Sequence, residues 1–274
     1  MEMKNLSQFS LLLVVLLFLG CGEDDDNVTV TGDGLLVRLE RATNDVFYQW
    51  TDIAYDQDQN VTTIGIQLES FLQQTYEVTY NSGEPATLSL TSENMNAGNK
   101  TVVNYDIIRL GDEIILRNST GEDKYLYRVT DGYIDYSKAS YGPNNEFFNE
   151  AVFTRDADDN IETIAYFATD ASSTELKVFE YTFSDHASDF DLPGVHNPIM
   201  GFDFTGFEVQ LVALMGLQIS NQPPLKSSYW DAGGTFRAEN LSATPVIDNG
   251  FLQELSYANE GTGNDNNLVK LIYN

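Results

Sequence analysis

From Leu35 to Asn274 the chain is written in short segments rich in Val, Ile, Thr, Tyr and Phe, each broken after roughly 8 to 12 residues by clusters of Asn, Asp, Gly or Ser. Tyr76, Val78 and Tyr80 alternate with Thr75, Glu77 and Thr79; Tyr125, Tyr127 and Val129 alternate with Leu126, Arg128 and Thr130; Phe179, Tyr181 and Phe183 alternate with Glu180 and Thr182. A period of two puts each set on its own face of a sheet. Asn81-Ser82-Gly83, Leu110-Gly111-Asp112, Thr130-Asp131-Gly132 and Asp248-Asn249-Gly250 supply the positive φ of tight hairpins. The pattern predicts an all-β fold: a large curved antiparallel β-meander or barrel-like sheet of more than ten strands.

A hairpin repeat supports one continuous sheet. Tyr55-Asp56-Gln57-Asp58-Gln59-Asn60-Val61 parallels Phe153-Thr154-Arg155-Asp156-Ala157-Asp158-Asp159-Asn160-Ile161, with a shorter copy at Asp248-Asn249-Gly250-Phe251. Repeats that neighbour only each other build one sheet, curled or closed, rather than several cores. One stretch departs from the strand pattern. Thr205-Gly206-Phe207-Glu208 has the form of a capping box, Gly216 is a natural helix stop, and the residues between are almost all apolar. A short helix over Phe207 to Met215 is therefore expected, buried against the concave side of the sheet as a plug or lid.

The amino terminus carries an address. The apolar run Phe9 to Leu19 is about half the ~20 residues that cross a bilayer, and it reads as a signal-peptide core. Phe18-Leu19-Gly20-Cys21 resembles the bacterial lipobox, in which the cysteine is diacylated and becomes the new amino-terminal residue. Glu23, Asp24, Asp25 and Asp26 follow, and this run resembles the acidic export signal of surface lipoproteins in the Bacteroidetes. Residues 1–20 thus read as a lipoprotein signal peptide, 21–34 as the lipidated Cys21 with an acidic tether, and 35–274 as one β-meander domain. The resemblance implies an outer-membrane lipoprotein exposed at the cell surface and held to the membrane by its amino-terminal lipid. Cys21 is the single cysteine, so no intramolecular disulfide can form.

Asp and Glu number 42 against 14 Lys and Arg, a formal net charge of −28. Such a surface repels polyanions, which excludes nucleic acid as a partner. Asp56-x-Asp58-x-Asn60 and Asp156-x-Asp158-x-Asn160 resemble the opening of a calcium loop. Position six is Val61 or Ile161 where Gly is needed, and position twelve is Gln67 or Phe167 where Glu is needed, so they read as hairpin turns. His186 and His196 lie within one acidic segment without metal-ligand spacing, and it reads as a solvated loop. No nucleophile elbow is present. The chain reads as a non-enzymatic protein with no cofactor and no metal.

The tyrosine-rich meander, followed by Asn197-Pro198, an apolar segment, Ser220-Asn221-Gln222-Pro223 and a terminal strand pair, resembles an uncharacterised Bacteroidetes surface-lipoprotein family. That resemblance implies a porin-like fold and lipid binding, and it brings no catalytic residues. Trp50, Trp230, Tyr229 and Tyr141 lie beside polar turns, where rings can stack on sugars or line an apolar groove. They are the candidate ligand-binding residues. The expected function is a binding module for an apolar or glycan ligand; the alternative is an interaction protein that docks onto an outer-membrane transporter or another envelope protein. An integral porin is the architectural rival. The ending at Asn274 and strand faces that both mix polar and apolar residues weigh against it.

Overall fold

The computed structural model describes residues 34–44, 46–69, 71–141, 147–169, 175–186, 209–222, 224–248, 250–258 and 266–274. Cys21 and the acidic run Glu23 to Asp26 lie outside the described residues, as do His196, Asn197-Pro198 and the capping-box positions Thr205 to Glu208.

Among the described residues sixteen strands form one antiparallel sheet that closes on itself. The first half runs β1 (Leu36–Thr43), β2 (Val46–Tyr55), β3 (Val61–Leu68), β4 (Leu72–Asn81), β5 (Glu84–Asn94), β6 (Asn99–Leu110), β7 (Glu113–Asn118) and β8 (Asp123–Thr130). The second runs β9 (Tyr133–Tyr141), β10 (Phe147–Arg155), β11 (Ile161–Thr169), β12 (Glu175–His186), β13 (Pro224–Asp231), β14 (Phe236–Asp248), β15 (Phe251–Ala258) and β16 (Asn266–Tyr273). Each strand pairs with its sequence neighbours, and β1 pairs with β16 from Leu36↔Tyr273 to Thr43↔Asn267. Closure removes the open edges that a meander of this length would otherwise present.

Consecutive hairpins alternate between the two ends of the barrel. One end carries the turns after β2, β4, β6, β8, β10 and β14, together with the long connection from β12 to β13. That connection contains the helix α1 (Val209–Leu214) and returns into the barrel end, which we call the floor. The opposite end, the mouth, carries the remaining hairpins.

The turns at both ends are as tight as their sequences require. Ser82 and Gly83 (φ 55° and 85°) and Asp131 and Gly132 (φ 52° and 88°) each place two residues in the left-handed region, the type I′ geometry that matches strand twist. A five-residue turn recurs with one internal bonding pattern. Asp56 Oδ1 accepts from the amides of Asp58 and Asn60, both at 2.9 Å, and Asp156 Oδ1 does the same with Asp158 and Asn160. Asn118 and Asp231 repeat this with Thr120 and Glu122 and with Gly233 and Thr235. The fourth residue of each turn has positive φ: Gln59, Gly121, Asp159 and Gly234. The Asp56 and Asp156 carboxylates are engaged by backbone amides, which is why the calcium-like spacing builds a hairpin.

The inner face of the wall is mainly apolar, and its outer face mixes charged pairs with apolar residues such as Val102, Leu110 and Val152. Ile53, Ile64, Ile66, Tyr76, Val78, Leu88, Tyr105, Tyr127, Phe153, Ile164, Leu255, Val269 and Leu271 are buried on inward positions. Outward positions hold ion pairs between neighbouring strands: Arg38–Asp52 on β1 and β2, Arg128–Glu113 on β8 and β7, Lys138–Glu150 on β9 and β10, and Lys270–Glu254 on β16 and β15. A membrane-spanning barrel has the reverse polarity, an apolar outer band around a polar lumen. Here the outer face carries ion pairs and the inner face packs a core.

Candidate functional site

The interior changes character from floor to mouth. Floor-side, α1 and its continuation supply Leu211, Val212, Leu214, Met215, Leu217 and Ile219, all buried, against the inward residues of the wall. The helix stops as its sequence predicts. Gly216 has φ 67°, its amide reaches the Ala213 carbonyl at 3.0 Å, and the Leu217 amide reaches the Val212 carbonyl at 3.0 Å. This pair of bonds is the Schellman motif, which releases the chain back toward the wall.

Polar side chains of the wall then hold the floor. Tyr80 Oη lies 2.9 Å from the Val61 carbonyl and 3.4 Å from that of Leu214, and Arg109 Nη2 donates to the Met215 carbonyl at 3.3 Å. Arg155 Nε donates to the Ile219 carbonyl at 3.1 Å, and its Nη2 donates to the carbonyl of Ile134. The guanidinium also lies 5.1 Å over the Tyr133 ring. Burial pulls its pKa down, against the pull of Asp135, Asp159 and Tyr133. Ser220 Oγ accepts from the Ile161 amide at 3.0 Å and donates to the Gln222 carbonyl at 2.6 Å. Backbone bonds Ile134 N to Gln218 O and Gln218 N to Gly132 O, each 3.0 Å, add a short ladder. With so many partners fixed, the segment from Leu211 to Gln222 is a floor rather than a swinging lid.

His186 belongs to this framework. The sequence reading put it in a solvated loop, but it ends β12, and its Nε2 donates to the Ile161 carbonyl at 2.8 Å. A cavity of about 560 Å³ remains between floor and wall, bordered by Val61, Tyr80, Arg109, Met215 and Leu217. Burial, with Asp56 nearby, pushes the Tyr80 phenol up to about 12.

Toward the mouth the inward positions turn polar. Arg41, Gln49 and Thr51 are buried there on β1 and β2, Gln74 and Ser92 face each other across β4 and β5, and Ser137 is buried on β9. The outer lip is apolar on three successive mouth hairpins. Val46 (67% exposed) and Phe47 stand after the first, Phe71 in the second and Met95 (51% exposed) in the third. The Met95 amide bonds the Phe71 carbonyl at 2.9 Å and the Glu69 amide bonds the Tyr48 carbonyl at 2.8 Å, so the hairpins stand side by side.

The aromatic candidates are not brought together. Trp50 alternates with buried Gln49 and Thr51 and shares its outward row with Glu40 and Gln67. Trp230 lies opposite Glu180, and its Nε1 donates to Thr182 Oγ1 at 3.2 Å. Both indoles are half-buried on the outer face, with β1, β16, β15 and β14 between their strands. Tyr141 and Tyr229 occupy backbone positions opposite Phe147 and Tyr181; their side chains lie outside the described residues. Sequence reasoning missed the lip, although its signal is present: a large apolar residue beside a mouth turn, three hairpins in succession. Among the described residues no group of three or more His, Cys, Asp or Glu is placed to hold a metal ion.

No protein-family model matches the chain, and no curated protein matches it. Among solved structures it is similar to a porin-like protein from Bacteroides vulgatus ATCC 8482, with 12% identity and a TM-score of 0.47 over 88% of this chain and 99% of that one. It is also similar to a porin-like protein from Bacteroides uniformis ATCC 8492, with 10% identity and a TM-score of 0.39 over 87% and 98% of the two chains.

Proposed function

We propose that this barrel is a non-enzymatic binding module of the bacterial envelope, which captures an apolar ligand at its mouth. The observation that carries the reading is the lip: Val46, Phe47, Phe71 and Met95 exposed on three adjoining hairpins that hydrogen-bond to one another. Clustered apolar surface on a polar background marks a place where something apolar is taken up. Beneath it the polar throat gives a bound molecule's head group partners, and the hydrogen-bonded floor closes the far end.

The protein is held to the outer membrane through a lipid on Cys21, with Glu23 to Asp26 directing it to the cell surface.

Native mass spectrometry of the protein purified from its own host tests the reading. A retained apolar molecule, lost when Phe47, Phe71 and Met95 are replaced by Ser, is the expected result. An envelope protein co-purifying with no small molecule would instead establish docking as the role of the lip.

A further inference from the structure

The outer wall of a barrel is convex unless something folds it. Between β3 and β6 it holds a groove of about 630 Å³. The cause is a step in strand length. β6 runs from Asn99 to Leu110 while β7 covers only Glu113 to Asn118, and the register Tyr105↔Asn118 sets the β7–β8 turn beside the middle of β6. Ser119 of that turn lines the groove.

The lining follows from the ladder. One outward row runs Thr63, Glu77, Ser89, Asn104 across four strands, and the next runs Thr79, Thr87, Asp106. Polar groups therefore repeat at about 4.8 Å across strands and about 6.8 Å along them. The Thr79 and Thr87 hydroxyls hydrogen-bond at 2.7 Å. Among the described residues no cation lines the groove. Elsewhere on this wall the carboxylates of Asp52, Glu113, Glu150 and Glu254 have cationic partners on neighbouring strands. Glu77 has Thr63 and Ser89 as its neighbours. Asp106 faces Arg117 in the register, and Arg117 shares its charge between Asp106 and Asp123, which it binds through Nε and Nη2 at 2.6 and 3.3 Å. Glu77, with Asp106 in the next row, thus faces a cavity lined by hydroxyls, an amide and the strand stretches at Val78, Leu88 and Tyr105.

We infer that the groove over β3 to β6 binds a saccharide bearing a free amino group, its ammonium held by Glu77 and Asp106 and its hydroxyls by Thr63, Thr79, Thr87, Ser89 and Asn104. The groove lies within the volume range of small-molecule sites and is large enough for a short oligosaccharide. Its charge excludes anionic sugars. The site is separate from the mouth and independent of what the mouth takes.

Isothermal titration of the full-length protein with a glucosamine trimer, compared with the N-acetylglucosamine trimer, tests the inference. The glucosamine trimer binds saturably and at least 10-fold more tightly than the acetylated one. The double change Glu77→Gln and Asp106→Asn weakens it at least 10-fold, and Ser89→Phe, which fills the groove without changing charge, abolishes it. Asp112→Asn with Glu162→Gln removes the same charge elsewhere and leaves binding unchanged. If that control weakens binding as much, the attraction is general electrostatics and the inference fails. It fails equally if both trimers bind alike or neither binds. Should Ser89→Phe not fold, judged by circular dichroism, the Glu77 and Asp106 pair against its control decides.

Discussion

Arg155, on the last position of β10, donates from Nε to the carbonyl of Ile219 at 3.1 Å, so one wall arginine carries the backbone of the floor. Its Nη2 serves the Ile134 carbonyl on β9, and the two acceptors come from segments far apart in sequence. Hydrogen bonds from a charged donor contribute about 1.5 to 3 kcal/mol each when one partner is removed. Arg155→Met is expected to cost about 2 to 4 kcal/mol. Arg155→Lys should recover little of this, since an ammonium lacks the planar fork that reaches two carbonyls. Urea denaturation reads both as a lower midpoint at unchanged slope.

The five-residue turns predict behaviour in acid. The Asn60 side chain, then the Asn60 and Asp58 amides, hold the Asp56 carboxyl below the usual aspartate range. At Asp156 partial burial pushes the other way, and the amides of Asn160 and Asp158 outweigh it. A carboxyl lowered in the folded state adds stability that is present above its unfolded pKa and is lost as pH falls through its folded value. Stability should therefore be flat near neutrality and decline below the ordinary aspartate range. Asp156→Asn keeps the acceptor oxygen, as Asn118 does at its own turn, and should remove part of that acid dependence. Asp156→Ala loses the two amide bonds and costs about 1 kcal/mol at neutral pH.

At the alkaline side the tyrosines govern. Tyr80 is pushed up to about 12, and burial with Tyr55 nearby raises Tyr273, whose Oη donates to the Leu252 carbonyl at 2.7 Å. A raised phenol adds stability that is complete below its unfolded pKa, near 10, and is lost as pH rises through the folded value. Absorbance at 295 nm should show these two phenols ionising after the exposed ones. Tyr80→Phe and Tyr273→Phe should each remove a late-titrating phenol and lower the thermal midpoint.

The polarity of the wall sets its solvent. A chain starting near Val28 should remain in water without detergent; partition into detergent alone would establish a membrane-spanning barrel. In the full chain, Cys21→Ser should abolish palmitate incorporation. Alanine at Glu23 to Asp26 should leave labelling intact and reduce protease access on whole cells.

The lip can be separated from the fold. Val46, Phe47, Phe71 and Met95 are exposed, so serine at each should change stability by no more than about 0.5 kcal/mol. Binding of an apolar dye such as ANS should fall in the same variants. Unchanged dye fluorescence would show that the apolar surface in use lies elsewhere.

Local features were legible and distant ones were not. The alternation Tyr76, Val78, Tyr80 fixes which face of β4 is buried, and Gly216 fixes where the helix ends, because both are written within a few residues. Closure depends on β1 meeting β16, and nothing near Leu39 specifies Leu271 as its partner. Asp56 and Asp156 were paired by their Asp-x-Asp spacing, whereas Asn118 and Asp231 make the same turn with Gly at the fourth position and share only the backbone path. The tryptophans stood out by lying beside polar turns, but one residue of register decides inside from outside. That register comes from buried neighbours such as Gln49 and Thr51.

Leu35 and Asn274 are clasped twice: the Leu35 amide reaches Asn274 Oδ1 and the Asn274 amide reaches the Leu35 carbonyl, each at 3.1 Å. An even number of strands brings the two chain directions back to the floor side by side, and this clasp is the seam of a ring. Until it forms, β1 and β16 are bare edges able to pair with any other extended chain. The seam joins the most distant parts of the sequence, so it is the slowest contact to find. Synthesis thus exposes the chain to edge-to-edge aggregation until the last strand emerges, and these two strands need shielding before any others.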